Sequence, residues 1–202
     1  MRTRVITLLV ILFSFKANAQ YYAISLEDYS LKQPIRDFKI HEFIDLRFDQ
    51  SCIGMVQAGI RSKKMPADFE SNFFEAFDTF LTHNTVLKQE PLPVILKVNK
   101  FIISERIETT KQYATASIAL EFLAKKDSGY VKLAEVSSYV QTSSGVDVTN
   151  HHEENIVKAL EECLLKFAAV NIPEKIRTAE IISADHLRVN SYYQLSQFNL
   201  PI

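Results

Sequence analysis

The chain is poor in the residues that most catalytic and cofactor-binding motifs require. Its 202 residues include four Gly, two Cys and no Trp. No P-loop, no G-x-G-x-x-G dinucleotide motif and no G-x-S-x-G nucleophile elbow occurs in it. We therefore expect no cofactor and no catalysis, and we predict that the protein is not an enzyme. An exported hydrolase whose active-site residues are dispersed along the sequence is the alternative.

A surplus of positive charge is also missing. Lys and Arg number 23 and Asp and Glu 24, so the formal net charge is −1. Such a chain lacks the positive surface that phosphate backbones attract, and we expect no nucleic-acid partner. Hydrophobic residues make up 47% and charged residues 23% of the chain, which is typical of a globular domain.

No apolar run is long enough to cross a membrane. The most apolar stretch, residues 5–15, spans 11 residues, whereas a membrane-spanning helix needs roughly 20. Arg2 and Arg4 precede this stretch and give it a positive flank. The pattern is typical of a secretory signal peptide over residues 1–19. A retained N-terminal anchor is the alternative interpretation.

The cleavage site follows the apolar stretch. Ala17 and Ala19 provide small side chains in the A-x-A arrangement, which predicts cleavage between Ala19 and Gln20. The first cysteine, Cys52, lies far downstream, so no lipidated cysteine is expected at the new N-terminus. We therefore expect an exported, soluble protein in the periplasm or outside the cell. Its 183 residues would carry a formal net charge of −4 and contain no transmembrane segment.

Two cysteines permit one disulfide in an oxidising compartment. Cys52 and Cys163 are the candidate pair. However, Cys163 lies on the apolar stripe of a predicted helix, where a buried free thiol behaves as a small hydrophobic side chain. Both interpretations remain open from the sequence.

Hydrophobic periodicity predicts a single α+β domain over residues 40–172. It follows an extended N-terminal segment, 20–39, and precedes a C-terminal extension, 173–202, that we expect to dock on the domain. Alternation at period two predicts strands, and spacing of three and four predicts helices. The predicted order is β-β-α-β-β-β-α, with strands at 40–48, 54–60, 94–106, 113–124 and 130–142 and helices at 66–81 and 151–170. We expect both helices on one face of a mainly antiparallel sheet.

End signals support the two helices. Pro66 suits the first turn of the first helix, and the negative charge of Asp68 would lie near the positive end of the helix dipole. Asn150 and Glu153 resemble a capping box at the start of the second. The apolar face of the first helix is interpreted as core rather than as an aromatic ligand site, and comprises Phe69, Phe73, Phe77, Phe80 and Leu81.

Two pairs of nearby polar side chains are candidates for a metal site or an ion pair. His151 and His152 are adjacent, and adjacent helical residues point about 100° apart, so they do not converge on one ion. We therefore expect no metal site. Asp45 and Arg47 share one face of a predicted strand and are interpreted as a structural ion pair.

The element order resembles that of a known envelope family. An Asp45-x-Arg47 strand, the Ile53-Gly54 step into a second strand, and a closing helix with Asn155 resemble the YajG-type small envelope lipoproteins and, more loosely, the PqiC-type auxiliary subunits of ABC transporters. The resemblance implies two helices on one antiparallel sheet and a non-enzymatic role at the cell envelope. This chain lacks the lipidated cysteine of that family.

We therefore expect a binding or interaction module of the envelope. An envelope protein or a small apolar ligand is the expected partner, bound in a groove or along an exposed strand edge. Tyr192, Tyr193 and Phe198 form a candidate partner-binding tail, and docking of the same tail on its own domain is the alternative. A structural homodimer formed through a sheet edge is a further alternative.

Overall fold

The computed structural model describes residues 21–58, 63–87, 90–127 and 129–189. Within these residues one mixed sheet of eight strands is accompanied by three α-helices, and the sheet does not close into a barrel. The elements are β1 Tyr22–Ile24, β2 Phe38–Asp45, β3 Gly54–Ala58, β4 Lys63–Phe69, α1 Phe73–His83, β5 Leu92–Ile107, β6 Gln112–Lys126, β7 Gly129–Ser144, α2 His152–Ala168, α3 Ile172–Thr178 and β8 Ile181–Ile182.

The long strand β5 organises the sheet. The strand order is β1-β4-β3-β5-β6-β7-β8, and β2 also pairs with β5. The predicted antiparallel meander is confirmed as β5, β6 and β7, including a register shift between Val98 and Lys100 where the apolar alternation changes parity. However, β1–β4, β2–β5 and β3–β5 are parallel pairs, so the sheet is more mixed than predicted.

The predicted helix over 66–81 begins too early. Residues up to Phe69 belong to β4, which pairs with β3 on one side and β1 on the other. Pro66 lies just outside the pairing with β1, an edge position that a strand proline tolerates. The helix starts at Phe73 because Asn72 caps it, its side-chain oxygen accepting the Glu75 N–H at 2.9 Å.

The second helix also starts differently from the prediction. Asn150 is not its N-cap, because a 3-10 turn over Thr149–His151 precedes α2, and His151 occupies the cap position without a side-chain bond. Asp147 holds the start of this turn. Its carboxylate accepts hydrogen bonds from the N–H of Thr149 at 2.9 Å and from the hydroxyl of Thr149 at 2.7 Å.

The main core lies between the sheet and helices α1 and α2. Phe122 of β6 stacks on Phe167 of α2 with ring centres 3.9 Å apart and planes 7° apart, and neither ring is exposed. Phe77 of α1 contacts Phe101 of β5 at 5.7 Å. The predicted apolar face of the first helix is confirmed as core, although Phe69 reaches the same cluster from β4.

The other face of the sheet is covered by the chain after α3. Leu187 packs with Ile95 and Leu123 in a second apolar cluster. Beside it, Lys97 Nζ lies 2.9 Å from Glu121 Oε2, and both side chains are at most 4% exposed. The same ammonium donates to the Val189 carbonyl at 3.0 Å. The described part of the predicted extension therefore packs on the domain.

The aromatic stack generates a stability prediction. We expect Phe167→Ala to lower the free energy of unfolding by about 3–5 kcal/mol, because it removes a buried ring and leaves a cavity against Phe122. Urea unfolding followed by circular dichroism measures the change. Phe74→Ala is the matched control, since this ring is 54% exposed, and it should cost less than about 1 kcal/mol. Equal losses in the two variants would contradict the proposed core.

Candidate functional site

A groove lies between the N-terminal segment and α1. Its volume is about 520 Å³. Apolar side chains form its floor, including Ile24, Leu26 and Phe80, which are at most 5% exposed. The polar residues that line it are Ser25, Glu27, Tyr29, Glu70, Ser71, Glu75, Thr79 and His83. An apolar floor with few polar groups is the usual composition of a small-molecule or peptide site.

Two attachments hold the N-terminal segment beside α1. At one end, β1 pairs with β4, and the Glu70 N–H donates to the Ile24 carbonyl at 3.1 Å. At the other end, the Leu31 N–H donates to Asn84 Oδ1 at 2.7 Å. The buried Asn84 amide in turn donates to the Phe80 carbonyl at 2.8 Å. The residue that ends the helix therefore also ties the segment to it, which keeps the groove open between two fixed points.

The helix supplies one side of the groove through regular spacing. Glu75, Thr79 and His83 are four residues apart and therefore lie on one face of α1. Glu75 is held in place because Asn72 Nδ2 donates to its carboxylate at 3.1 Å. The apolar face of this helix was predicted from the sequence as core, but its polar face was not predicted as part of a site. Its four-residue spacing was the signal that would have found it.

Negative charge dominates the electrostatics of the groove. Among the described residues that line it, three carry carboxylates, Glu27, Glu70 and Glu75, and none is Lys or Arg. Burial raises the pKa of Tyr29, and the neighbouring charges of Glu153 and Glu154 raise it further. The negative region thus extends from the groove to the first turn of α2. Such a site favours a largely apolar ligand that carries one positively charged group.

The predicted Asp45–Arg47 ion pair is confirmed. Arg47 Nη2 lies 2.9 Å from Asp45 Oδ2, and its Nε donates to the other carboxylate oxygen at 3.0 Å. The guanidinium also lies 3.7 Å from the centre of the Phe73 ring and donates to the Cys52 carbonyl at 3.2 Å. Arg47 is 6% exposed, so it joins β2, the following loop and α1 rather than presenting a charge to solvent.

A buried histidine–carboxylate pair joins α2 to β5. His152 Nε2 lies 2.9 Å from Glu105 Oε1, and the two side chains are 0% and 1% exposed. The second Glu105 oxygen accepts the Gln57 N–H at 2.8 Å. Such a pair is the feature expected of a hydrolase with dispersed residues, but a substrate has no access to it in this conformation. Its contacts show that it connects β3, β5 and α2.

The two cysteines are free thiols and lie in different parts of the fold. Cys163 is fully buried on α2, which packs over β6 and β7, whereas Cys52 is half-buried in the loop between β2 and β3. Burial raises the pKa of the Cys163 thiol to about 12. Cys163 thus occupies the position of a small hydrophobic side chain on the apolar stripe of α2.

Several predicted sites lie outside the described residues. These are the signal cleavage site at Ala19 and Gln20 and the candidate tail residues Tyr192, Tyr193 and Phe198, which remain predictions. Among the residues described, no helix has the length and hydropathy of a membrane span. Over the same ranges, His, Cys, Asp and Glu side chains form no group of three that could hold a metal ion.

Comparisons with known proteins give structural likenesses only. No family model matches the chain, and no curated protein matches it. A crystal structure of an uncharacterized protein aligns at 11% identity over 69% of this chain and 95% of that chain, with a TM-score of 0.38. A minor lipoprotein from Acinetobacter baumannii aligns at 10% identity over 52% and 82%, with a TM-score of 0.30.

A third similar structure is the crystal structure of protein XCC0632 from Xanthomonas campestris, which is described as a member of the DUF330 family. It aligns at 10% identity over 89% of this chain and 97% of that chain, with a TM-score of 0.39. At these TM-scores none of the three assigns the chain to a family or a function. The resemblance to YajG-type and PqiC-type proteins therefore stays a prediction.

Thiol reactivity gives a test of the cysteine environments. At pH 8 only roughly one Cys163 side chain in ten thousand would be a thiolate if its pKa is about 12. Because the thiolate is the reactive form, we expect a disulfide-exchange reagent to label Cys52 much faster than Cys163 in the native protein. Labelling kinetics read by mass spectrometry measure both rates.

Unfolding supplies the control for this test. In denaturant both thiols of the exported protein should react, and Cys52→Ser should leave one thiol that reacts only after unfolding. Recovery of exported protein with no titratable thiol in denaturant would contradict the free-thiol assignment and support the Cys52–Cys163 disulfide.

Proposed function

We propose that the protein is an exported, non-enzymatic binding module of the cell envelope. Its ligand site is the groove between the N-terminal segment and α1. The ligand is an elongated apolar molecule or segment that carries a positive charge. The observation that supports this most directly is the apolar floor of Ile24, Leu26 and Phe80 beneath three carboxylates.

The size and construction of the groove support the proposal. A volume of about 520 Å³ lies within the range of ligand pockets, roughly 300–1,000 Å³. Both ends of the N-terminal segment are fixed by hydrogen bonds to structured elements, Glu70 to Ile24 and Leu31 to Asn84. A preformed groove loses little conformational freedom when a ligand enters, so more of the contact energy contributes to affinity.

The charge of the groove decides which ligands it favours. Because Glu27, Glu70 and Glu75 line the groove, an anionic head group would meet like charge, and a cationic head group opposite charge. Exposed carboxylates each contribute roughly 0.2–1 kcal/mol to such pairing, so the three together change affinity by about tenfold. The apolar floor then supplies the larger part of the binding energy, and the carboxylates supply selectivity.

A series of ligands with one chain and different head groups tests this proposal. We expect dodecyltrimethylammonium to bind about tenfold more tightly than neutral dodecyl maltoside, and dodecyl sulfate to bind most weakly. Isothermal titration calorimetry below the micelle concentration measures each affinity. The triple variant Glu27→Gln, Glu70→Gln, Glu75→Gln should abolish the preference for the cation, because Gln keeps the shape but removes the charge.

Two controls make the result specific to the groove. The triple variant Glu42→Gln, Glu90→Gln, Glu180→Gln changes the net charge equally at exposed sites outside the groove lining and should keep the preference. Ala76→Phe fills part of the groove and should weaken binding of all three ligands. Equal affinities for the three head groups, or identical behaviour of the two triple variants, would refute the proposal.

A further inference from the structure

The outer edge of β7 presents backbone groups that no described strand pairs. β8 pairs only with Tyr130 and Val131, so the outer edge of β7 beyond Val131 has no strand partner among the residues described. The far part of that edge, residues 138–144, is about 23 Å long. Just before this stretch, the Lys166 ammonium donates a hydrogen bond to the backbone carbonyl of Ser137. The open stretch begins just beyond that contact.

The register of the meander determines which groups point outward. The hairpin between β5 and β6 closes with the Glu108 N–H donating to the Lys111 carbonyl. In an antiparallel sheet, hydrogen-bonded and non-bonded pairs alternate along the strands. Counting from Lys111, the backbone groups of odd-numbered β6 residues therefore bond to β5, and those of even-numbered β6 residues bond to β7. Even residues of β7 are then bonded to β6, and the N–H and C=O groups of Tyr139, Gln141 and Ser143 point outward. The outward carbonyl of Ser137 agrees with this alternation.

Beyond the Lys166 contact at Ser137, this edge lacks the features that keep strand edges apart. From Val136 to Val146 the sequence contains no charged residue and no proline. The open edge of β2 differs, because it carries Lys39 and Glu42 and has a register shift between Ile40 and Glu42. Charges and bulges on an edge prevent pairing with another chain, and their absence on β7 leaves it competent to pair.

The edge is also held rigid by α2. Ser138 Oγ donates to the Glu162 carboxylate at 2.5 Å, and Thr142 Oγ1 donates to Asn155 Oδ1 at 2.7 Å. Both contacts are on the helix-covered face, so they fix β7 without occupying its outward backbone groups. A strand that is already ordered loses little conformational entropy when a second strand pairs with it.

We propose that β7 pairs antiparallel with β7 of a second copy of this chain, and that the two sheets become one. A two-fold axis at Val140 sets Tyr139 opposite Gln141 of the other copy, two residues whose side chains already bond within one chain at 3.0 Å. The uncharged run meets itself, so no like charges oppose each other. The same contact closes this edge in both copies at once, which a two-fold interface achieves by symmetry.

Sedimentation of the exported protein over a range of concentrations tests the proposal. We expect a monomer–dimer equilibrium whose mass approaches twice that of the monomer. Gln141→Pro should raise the dimer dissociation constant by at least about tenfold, because it removes an outward N–H donor and inserts a ring at the interface. The monomer should remain folded, because that N–H is not bonded to β6.

Two further measurements keep the outcome unambiguous. Ser117→Lys adds a charge on the central strand β6, opposite Tyr139 but away from the edge, and should leave the dimer unchanged. Hydrogen exchange should show concentration-dependent protection at Tyr139 and Gln141, whereas Ser143 would face the Ser137 carbonyl that Lys166 already contacts. A monomer at all concentrations, or dimers that Gln141→Pro leaves intact, would overturn the proposal. Protection of these amides in a strict monomer would assign the edge to another segment of the same chain and would equally overturn it.

Discussion

Burial of β5 along both edges and on both faces is the constraint on which the rest of the fold depends. β6 pairs along one edge, and β2 and β3 share the other. Every residue from Val94 to Asn99 is buried. Because successive side chains of a strand point to opposite faces, both faces of the sheet must be covered here. Helices α1 and α2 cover one face, and the chain after α3 covers the opposite one. Residues 181–189 therefore contribute to the packing of the sheet.

Polar groups inside the structure connect elements that are distant in sequence. Lys97 and Glu121 pair beneath the chain that contains Val189, His152 and Glu105 join α2 to β5, and Arg47 joins β2 to α1. Removing one partner of the buried Lys97–Glu121 ion pair would leave an unpaired charge, which typically costs about 3–5 kcal/mol. These polar contacts therefore favour one relative position of the strands and helices, whereas hydrophobic burial alone would also permit shifted positions.

Elements whose signals are local were predicted well from the sequence. The meander follows from alternation and short turns, and the stripe of α2 that contains Leu160 and Cys163 follows from its spacing. The prediction for residues 66–81 was wrong in its first half, although Pro66 and the acidic residues after it are genuine signals of a helix start. Pairing of β4 with β3 and β1 outweighed them, because ladder hydrogen bonds on both sides stabilise a strand more than local preference disfavours it.

Three features were predictable from the sequence: the periodicity of the strands and helices, their apolar faces, and the short-range pair of Asp45 and Arg47. All of these depend on residues that are close together in the chain. The groove and the β7 edge that no described strand pairs arise from tertiary packing. Asn84 holds the segment that contains Ile24 beside the helix that contains Phe80, and the groove lies between them. Within the described part of the chain, β8 pairs with only two residues of β7 and leaves the rest of that edge without a strand partner. Both depend on which distant segments pack together, and periodicity contains no information about that choice.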